Sequence, residues 1–520
     1  MSEPLEFPAR LASPRHGEAA VRLPIDRYEE RVLACWRGKA VGGSLGQSFE
    51  GLEGPIDADY YFPEPQGMVP NDDLDVQVAY ASVLDSVDPP RLDRMLIAQV
   101  WREHLRFPWN EYGVAKRNLA EGILPPHTGS FDNWFRNGEG AVIRSELWAC
   151  LAPGEPLRAA AYAYEDACFD HADDGIWAAV FMAALQSHAF VESDADVLLD
   201  RACELLPVSS GIRRVVTDTR VWVAEGREWR DVLGLIRAGY GSTDFTDTRM
   251  NTGFVVLGWL CARGDFERGI LITNGCGGDT DSSTASLGAL MAIINPDSIP
   301  ERWLRPIGDR LLLNAEVVGI AAPETVTDFA AQVTRLRRRL QGVWPDAEVS
   351  AFDPQRFRVP VTVGWASPFG LPWGVRDASG LSPAFSPEPP LPPGSERVTV
   401  PGTWVRWARA DFKDRILVIE YTLELERPLA ARLMFDCSEN ARVWLDGEYL
   451  FGTLPAPIFP TQHRPAPGRG MDVRLEAGRH RLRAMILRPP AEREWAEWVV
   501  GLAEPPGYEW IPGALRRGRP

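Results

Sequence analysis

None of the seven cysteines sits in a C-x-x-C pair, and none of the seven histidines falls in H-E-x-x-H or H-x-x-x-H spacing. The histidine pattern argues against a zinc site. The odd, scattered cysteines point to reduced thiols and a cytoplasmic location. No apolar run reaches transmembrane length, so no membrane association is expected. The first twenty residues carry Pro, Arg, Glu and His with no apolar h-region, so no secretory signal is read there. Positive charge is also scarce. The formal net charge is −17, which argues against nonspecific binding to nucleic acid or to an anionic membrane. The scarcity has a local form too: no Lys or Arg occurs between Arg268 and Arg302, or from Met68 to Pro90.

The 45% hydrophobic and 24% charged residues are those of a soluble globular chain. At 520 residues, two or three domains are expected. Residues 1–21 read as a tail. From about 22 to 345 the apolar spacing is helical, beginning with Val32, Leu33, Trp36, Ala40 and Val41 after a capping-box-like Asp26–Glu29 pair. Gly38, Gly42 and Gly46 recur every four residues, so they share one helix face. Glycine weakens a helix, so this stripe is expected to meet another backbone closely. After residue 345 the texture changes. A Pro- and Gly-rich stretch leads into alternating segments such as Ile416–Leu425, and Val443–Leu450 reads as a hairpin with an Asp446-Gly447 turn. Residues 346–520 are therefore expected to form a linker and an antiparallel β-sandwich. Its tryptophans are read first as core.

The basic-poor stretches are also where the acids gather. Asn71-Asp72-Asp73 opens one predicted helix. Asn274-Gly-Cys-Gly-Gly-Asp279-Thr-Asp281-Ser282-Ser283 leads into another, rich in small residues. Each alone reads as a helix start with acids favoured by the dipole. Two such starts without a nearby basic residue should repel unless something positive joins them. Aspartate, hydroxyl and amide oxygens are the ligands that a hard divalent cation prefers, so the two starts look like halves of a metal site. Three weaker signals remain. Glu50 continues the glycine stripe if the helix runs on; otherwise it is a surface glutamate. The glycines of Arg136–Ser145 either line a ligand with backbone N–H groups or form a plain turn. His171 is either a packed core or capping histidine or a site residue.

Taken in order, Gly38–Gly46 with Glu50, Asn71-Asp72-Asp73, Gly140-Ala-Val-Ile-Arg144, the helix junction at His171 and Gly277-Gly-Asp-Thr-Asp-Ser282 resemble the ADP-ribosylglycohydrolase family over about residues 28–340. The resemblance implies an all-α catalytic domain with two Mg²⁺ ions in a cleft, Ca²⁺ or Mn²⁺ being alternatives. It implies metal ligands at Asn71, Asp72, Asp73, Asp279, Asp281 and Ser282. It gives catalytic roles to Glu50 and Asp73, and substrate contacts to Gly138, Gly140, Arg144, His171, Gly277 and Gly278. Asn71 stands where the family usually has Ser or Thr, Leu74 where it has Thr, and Ile143 where Met is common. The β region is similar to the jelly-roll modules attached to many glycoside hydrolases. The implied activity is hydrolysis at C1 of a ribose, removing ADP-ribose from a modified substrate. A ribosidase or furanosidase acting on a plain glycoside is a second reading, and an inactive ADP-ribose- or glycan-binding module is a third. The expected partner is a small or ADP-ribosylated molecule, or a carbohydrate.

Overall fold

In the computed structural model, residues 23–90, 92–340, 352–367, 387–453 and 469–515 are described. The expected tail at 1–21 and much of the expected Pro-rich linker lie outside them. The chain divides into two compact units. The first comprises residues 1–107, 124–130 and 135–349; the second comprises 108–123, 131–134 and 350–520.

The first unit is helical. Its centre is a pair of helices, Ile25–Gly46 and Thr280–Ile294, whose contact explains the glycine stripe. A Cβ added at Gly38, Gly42 or Gly46 would sit 2.2 Å from the carbonyl oxygen of Gly288, Thr284 or Thr280 respectively. The two backbones therefore run antiparallel in direct contact, and the small residues Ala285, Gly288 and Ala292 complete the seam. The later helices Asp174–Ala189 and Thr248–Ala262 are almost wholly buried along their length. That burial is why they read as continuous apolar and alanine-rich runs rather than as amphipathic stripes. The first helix departs from expectation at its start. It begins at Ile25 behind Pro24 and has no side-chain cap, so the Asp26–Glu29 pair forms no capping box.

The second unit is built on two antiparallel sheets. Its strands are β1 (Val359–Ala366), β2 (Glu396–Val400), β3 (Trp404–Ala408), β4 (Ile416–Leu425), β5 (Leu429–Cys437), β6 (Ala441–Leu445), β7 (Glu448–Thr453), β8 (Gly470–Leu475), β9 (Gly478–Ile486), β10 (Trp495–Glu504) and β11 (Glu509–Trp510). One sheet has the order β2-β1-β4-β9-β6-β7; the other has β11-β10-β5-β8, with β3 also paired to β10. Alternate side chains from both sheets, including Val361, Ile419, Leu433, Phe435, Val443, Leu482 and Val500, form one core. The β6–β7 hairpin turns at Asp446 (φ 52°) and Gly447 (φ 93°), the two positive φ values that a type I′ turn needs. Trp444 and Trp498 are buried as expected, whereas Trp495 is 40% exposed.

The helix Asn110–Ala120 belongs to this second unit, together with Phe131–Trp134. Asp132 organises the contact. Its Oδ2 accepts from the Thr403 amide (2.8 Å), the Thr403 hydroxyl (2.7 Å) and Arg117 Nη2 (3.1 Å), and its Oδ1 accepts from the Trp404 amide (2.7 Å).

Candidate active site

The two acidic helix starts meet. Asp72 and Asp73 open the helix Asp72–Ser86, and Asp281 lies in the first turn of Thr280–Ile294. One carboxylate oxygen from each of the three falls within 4.8 Å of the others. The small-residue seam places the start of Thr280–Ile294 against the end of Ile25–Gly46, and Asn71, just ahead of the Asp72 helix, packs on that same end, its Nδ2 3.1 Å from where a Cβ at Gly43 would stand. Asn71 closes the junction. Its Oδ1 accepts from the Asp73 amide (2.8 Å) as a helix cap, and its Nδ2 donates to Asp281 Oδ2 (3.2 Å). The Ser282 hydroxyl donates to Asp73 Oδ1 (3.3 Å). Asp279 stands at the N-cap position, but its side chain makes no capping hydrogen bond.

The expectation that these acids lack a basic partner is corrected by Lys39. This residue lies within the glycine stripe and is 1% exposed. Its Nζ is 3.2 Å from Asp73 Oδ2 and 3.2 Å from Glu146 Oε2. Gln77 and Gln186 in turn donate to the two oxygens of Glu146, each at 3.0 Å. Asp73 is thus fixed through one oxygen by a buried chain of partners. The lysine was missed because it is 34 residues away in sequence. Its signal was a cation inside a stripe of small and apolar residues.

One lysine does not neutralise this centre. Burial, followed by mutual repulsion with Asp73 and Asp281, pushes the Asp72 carboxyl well above the usual carboxylate range. Burial, then Asp281 and Glu139, does the same to Asp279. Burial is also the main cause for Asp73 and Asp281, each raised to about 6. Lys39 offsets part of it for Asp73, and Glu50 adds to it for Asp281. The Oδ1 atom of Asp281 is buried without a hydrogen-bond partner. A buried acceptor that finds no donor among converging acids suits a positive ion. Carboxylate and hydroxyl oxygens with no thiolate or imidazole among them are a donor set for a hard divalent cation.

Glu50 is exposed and lies at the end of a single 3₁₀ turn, Gln47–Phe49, that follows the first helix. The helix therefore stops before Glu50, yet the glutamate's charge still acts on Asp72, Asp279 and Asp281. The chain after it pairs with the glycine motif. Gly51 N donates to Gly278 O (2.9 Å), Gly278 N to Leu52 O (2.9 Å) and Ile56 N to Gly275 O (2.8 Å). Arg237 ties the same two segments together by donating to the carbonyls of Gly54 and Cys276.

The remaining expected site residues are placed as structure. Gly277 and Gly278 have φ of +72° and +78°. Their Cβ positions are filled by Gly54 N and by Asn251 Oδ1, and their amides bond to Asn274 and Leu52 carbonyls. They shape the turn. Arg144 is fully buried, with Nη1 and Nη2 on the two oxygens of Asp170 (2.9 and 2.8 Å) and Nε on Asp166 (2.9 Å). His171 is fully buried too, with Nδ1 2.6 Å from Asp170 Oδ1. Gly138 and Gly140 are buried in the turn before Arg144; the Gly138 amide bonds to Phe135 O, and the Gly140 carbonyl accepts from Arg144. Between these two glycines lies Glu139, which the sequence reading passed over in favour of its neighbours.

Fold and site together define a helical unit with a buried carboxylate centre, followed in the chain by a β-sheet unit. A model of the ADP-ribosylglycohydrolase family matches residues 24–339, more than half of the chain, and the chain belongs to that family. Its reaction class is accordingly glycosyl hydrolysis. Among solved structures, one titled "ADP-ribosylglycohydrolase-related protein complex" is 21% identical, over 60% of this chain and 99% of its own, with a TM-score of 0.42. No curated protein matches. No described helix is long and apolar enough to cross a membrane.

Proposed function

We propose that the protein is a Mg²⁺-dependent hydrolase that cleaves the glycosidic bond at C1 of a ribose and releases ADP-ribose from a modified substrate. The observation that carries this reading is the convergence of Asp72, Asp73 and Asp281 within 4.8 Å. Breaking the bond develops oxocarbenium-like charge on the sugar and negative charge on the leaving group. A divalent cation held there would supply positive charge for the ribose hydroxyls and for an attacking water. Asp72, Asp73, Asp279 and Asp281 would hold it, with Ser282 beside. Asn71 and Lys39 are positioning residues: one aims Asp281, the other fixes one oxygen of Asp73. Glu50 is the base that takes a proton from the attacking water. Arg144 and His171 act through the loop and the helix junction that they hold. All seven cysteines are free, in keeping with a reducing, cytoplasmic setting.

Release of ADP-ribose from ADP-ribosyl-arginine, measured with Mg²⁺ and with chelator, tests the reading. Mg²⁺-dependent release is the expected result. Hydrolysis of simple furanosides alone would leave the metal chemistry and overturn the substrate. Binding of ADP-ribose without turnover of either class would overturn the enzyme.

A further inference from the structure

The loop around Gly138 holds a buried acid that the proposed mechanism does not use. Glu139 is 2% exposed, and its Oε2 is buried without a hydrogen-bond partner. The backbone fixes it in place: its carbonyl accepts from the amides of Val142 (2.7 Å) and Ile143 (3.1 Å). The preceding Asn137 carbonyl accepts from Thr248 N (2.9 Å), which ties the loop to the Thr248–Ala262 helix. The charges that act most strongly on Glu139 are those of Asp73, Asp281, Lys39 and Asp247. Only Lys39 is positive, and its ammonium already lies 3.2 Å from Asp73 and from Glu146. Two unpartnered buried acceptors, Glu139 Oε2 and Asp281 Oδ1, thus come from different elements, and the charge of Asp281 acts on Glu139.

An unpaired carboxylate in such a place must share a proton or meet a cation, because an ionised carboxylate with neither is too costly to bury. A shared proton satisfies one acceptor of one pair. A divalent ion satisfies several at once, and its preference for oxygen ligands matches the donors present. We propose that Glu139 is a further carboxylate of the cation site, acting on the same divalent ion or ions as Asp72, Asp73 and Asp281. The assignment rests on the metal reading above. It adds a third element, the 138–144 loop, to the two helix starts.

The test is calorimetric titration of Mg²⁺, and separately of Mn²⁺, into the chelator-treated full chain and its Glu139→Gln variant, with thermal melts of both lacking metal. Glutamine keeps the shape of the side chain and removes its charge. The expected result is binding by the wild type, an affinity loss of about tenfold or more in Glu139→Gln, and a metal-free melting temperature that rises because folding no longer buries a carboxyl group that lacks both a partner and a cation. Wild-type affinity in Glu139→Gln would overturn the assignment and leave the metal reading standing. A wild type that takes up neither ion would overturn both. If Glu139→Gln does not fold, Glu139→Asp replaces it. That variant keeps the charge and withdraws it by one methylene, so weakened binding supports the assignment and unchanged binding overturns it.

Discussion

Glu50 and Asp281 carry the same functional group into opposite surroundings, and their roles divide accordingly. Glu50 is exposed, whereas Asp281 is 7% exposed and bonded to Asn71. Glu50→Gln keeps size and polarity but cannot accept a proton. Turnover should fall by ~10²–10⁴ while Mg²⁺ affinity, read by calorimetry, changes little. Asp281→Ala should abolish both. The acids also predict how stability depends on pH without metal. Burial raises Asp73 and Asp281 to about 6, whereas an unfolded aspartate titrates at about 3.9. Between those values the folded chain holds more protons than the unfolded one, so stability falls as pH rises. It is fully present below about 4 and lost through about 6. Metal-free melting temperatures should therefore drop from pH 5 to pH 7.5 by more in the wild type than in Asp281→Ala. Excess Mg²⁺ should raise the wild-type value more at pH 7.5, where the ligands are ionised. An equal drop in both proteins would show that these carboxyls titrate normally.

At the scale of elements, the seam between Ile25–Gly46 and Thr280–Ile294 is the part of the site that sequence spacing made legible. A stripe of glycines every fourth residue has few uses other than close backbone contact, and the partner helix advertised itself through its own small residues. The helical and alternating textures were legible for the same reason: burial on one face imposes a period on the sequence. Lys39 and Glu139 were not legible, because nothing in local spacing reports which distant charge a fold brings near. Short strands such as β2 and β3 escaped notice because their exposed residues break the alternation. The seam makes a contrast that can be measured. Gly42→Ala would put its Cβ 2.2 Å from Thr284 O. It should destabilise the chain by about 2 kcal/mol or more, since overpacking outweighs the gain in helix propensity. It should also weaken Mg²⁺ binding by moving Asp281. Gly234→Ala, in the helix Trp229–Tyr240, meets nothing within 4 Å and should stabilise by about 0.5–1 kcal/mol. Denaturant titration of the two variants reads both signs, and two variants of equal stability would contradict the packing account.

For the whole molecule, the second unit draws on more of the sequence than its strands. Residues 108–123 and 131–134 lie within the stretch matched by the family model and belong to the β unit by contact. Their attachments are polar and well buried. Arg117 and Asp132 have side chains 4% and 2% exposed, and both bond to Thr403. The Gly513 amide donates to Glu121 (2.9 Å), and Trp134 meets Trp510 edge-on at 5.8 Å. A chain cut after residue 340 would keep the Arg117–Asp132 pair and lose the three donors from Thr403 and Trp404. Water would then replace a buried hydrogen-bonded set, and Trp134 would lose its contact with Trp510. Such a fragment is expected to melt well below the full chain, despite containing the whole family match. In the intact protein, Asp132→Ala leaves Arg117 buried without its counter-charge, a change of the kind that costs about 3–5 kcal/mol. Asp132→Asn keeps the shape, and its single carbonyl oxygen retains part of the hydrogen bonding to Thr403 and Trp404, so its loss should be smaller. Thermal and urea unfolding of the fragment and both variants, beside the full chain, checks the account. A fragment as stable as the full chain, or an Asp132→Ala loss under about 1 kcal/mol, the range of exposed ion pairs, would show that these segments do not depend on the β unit.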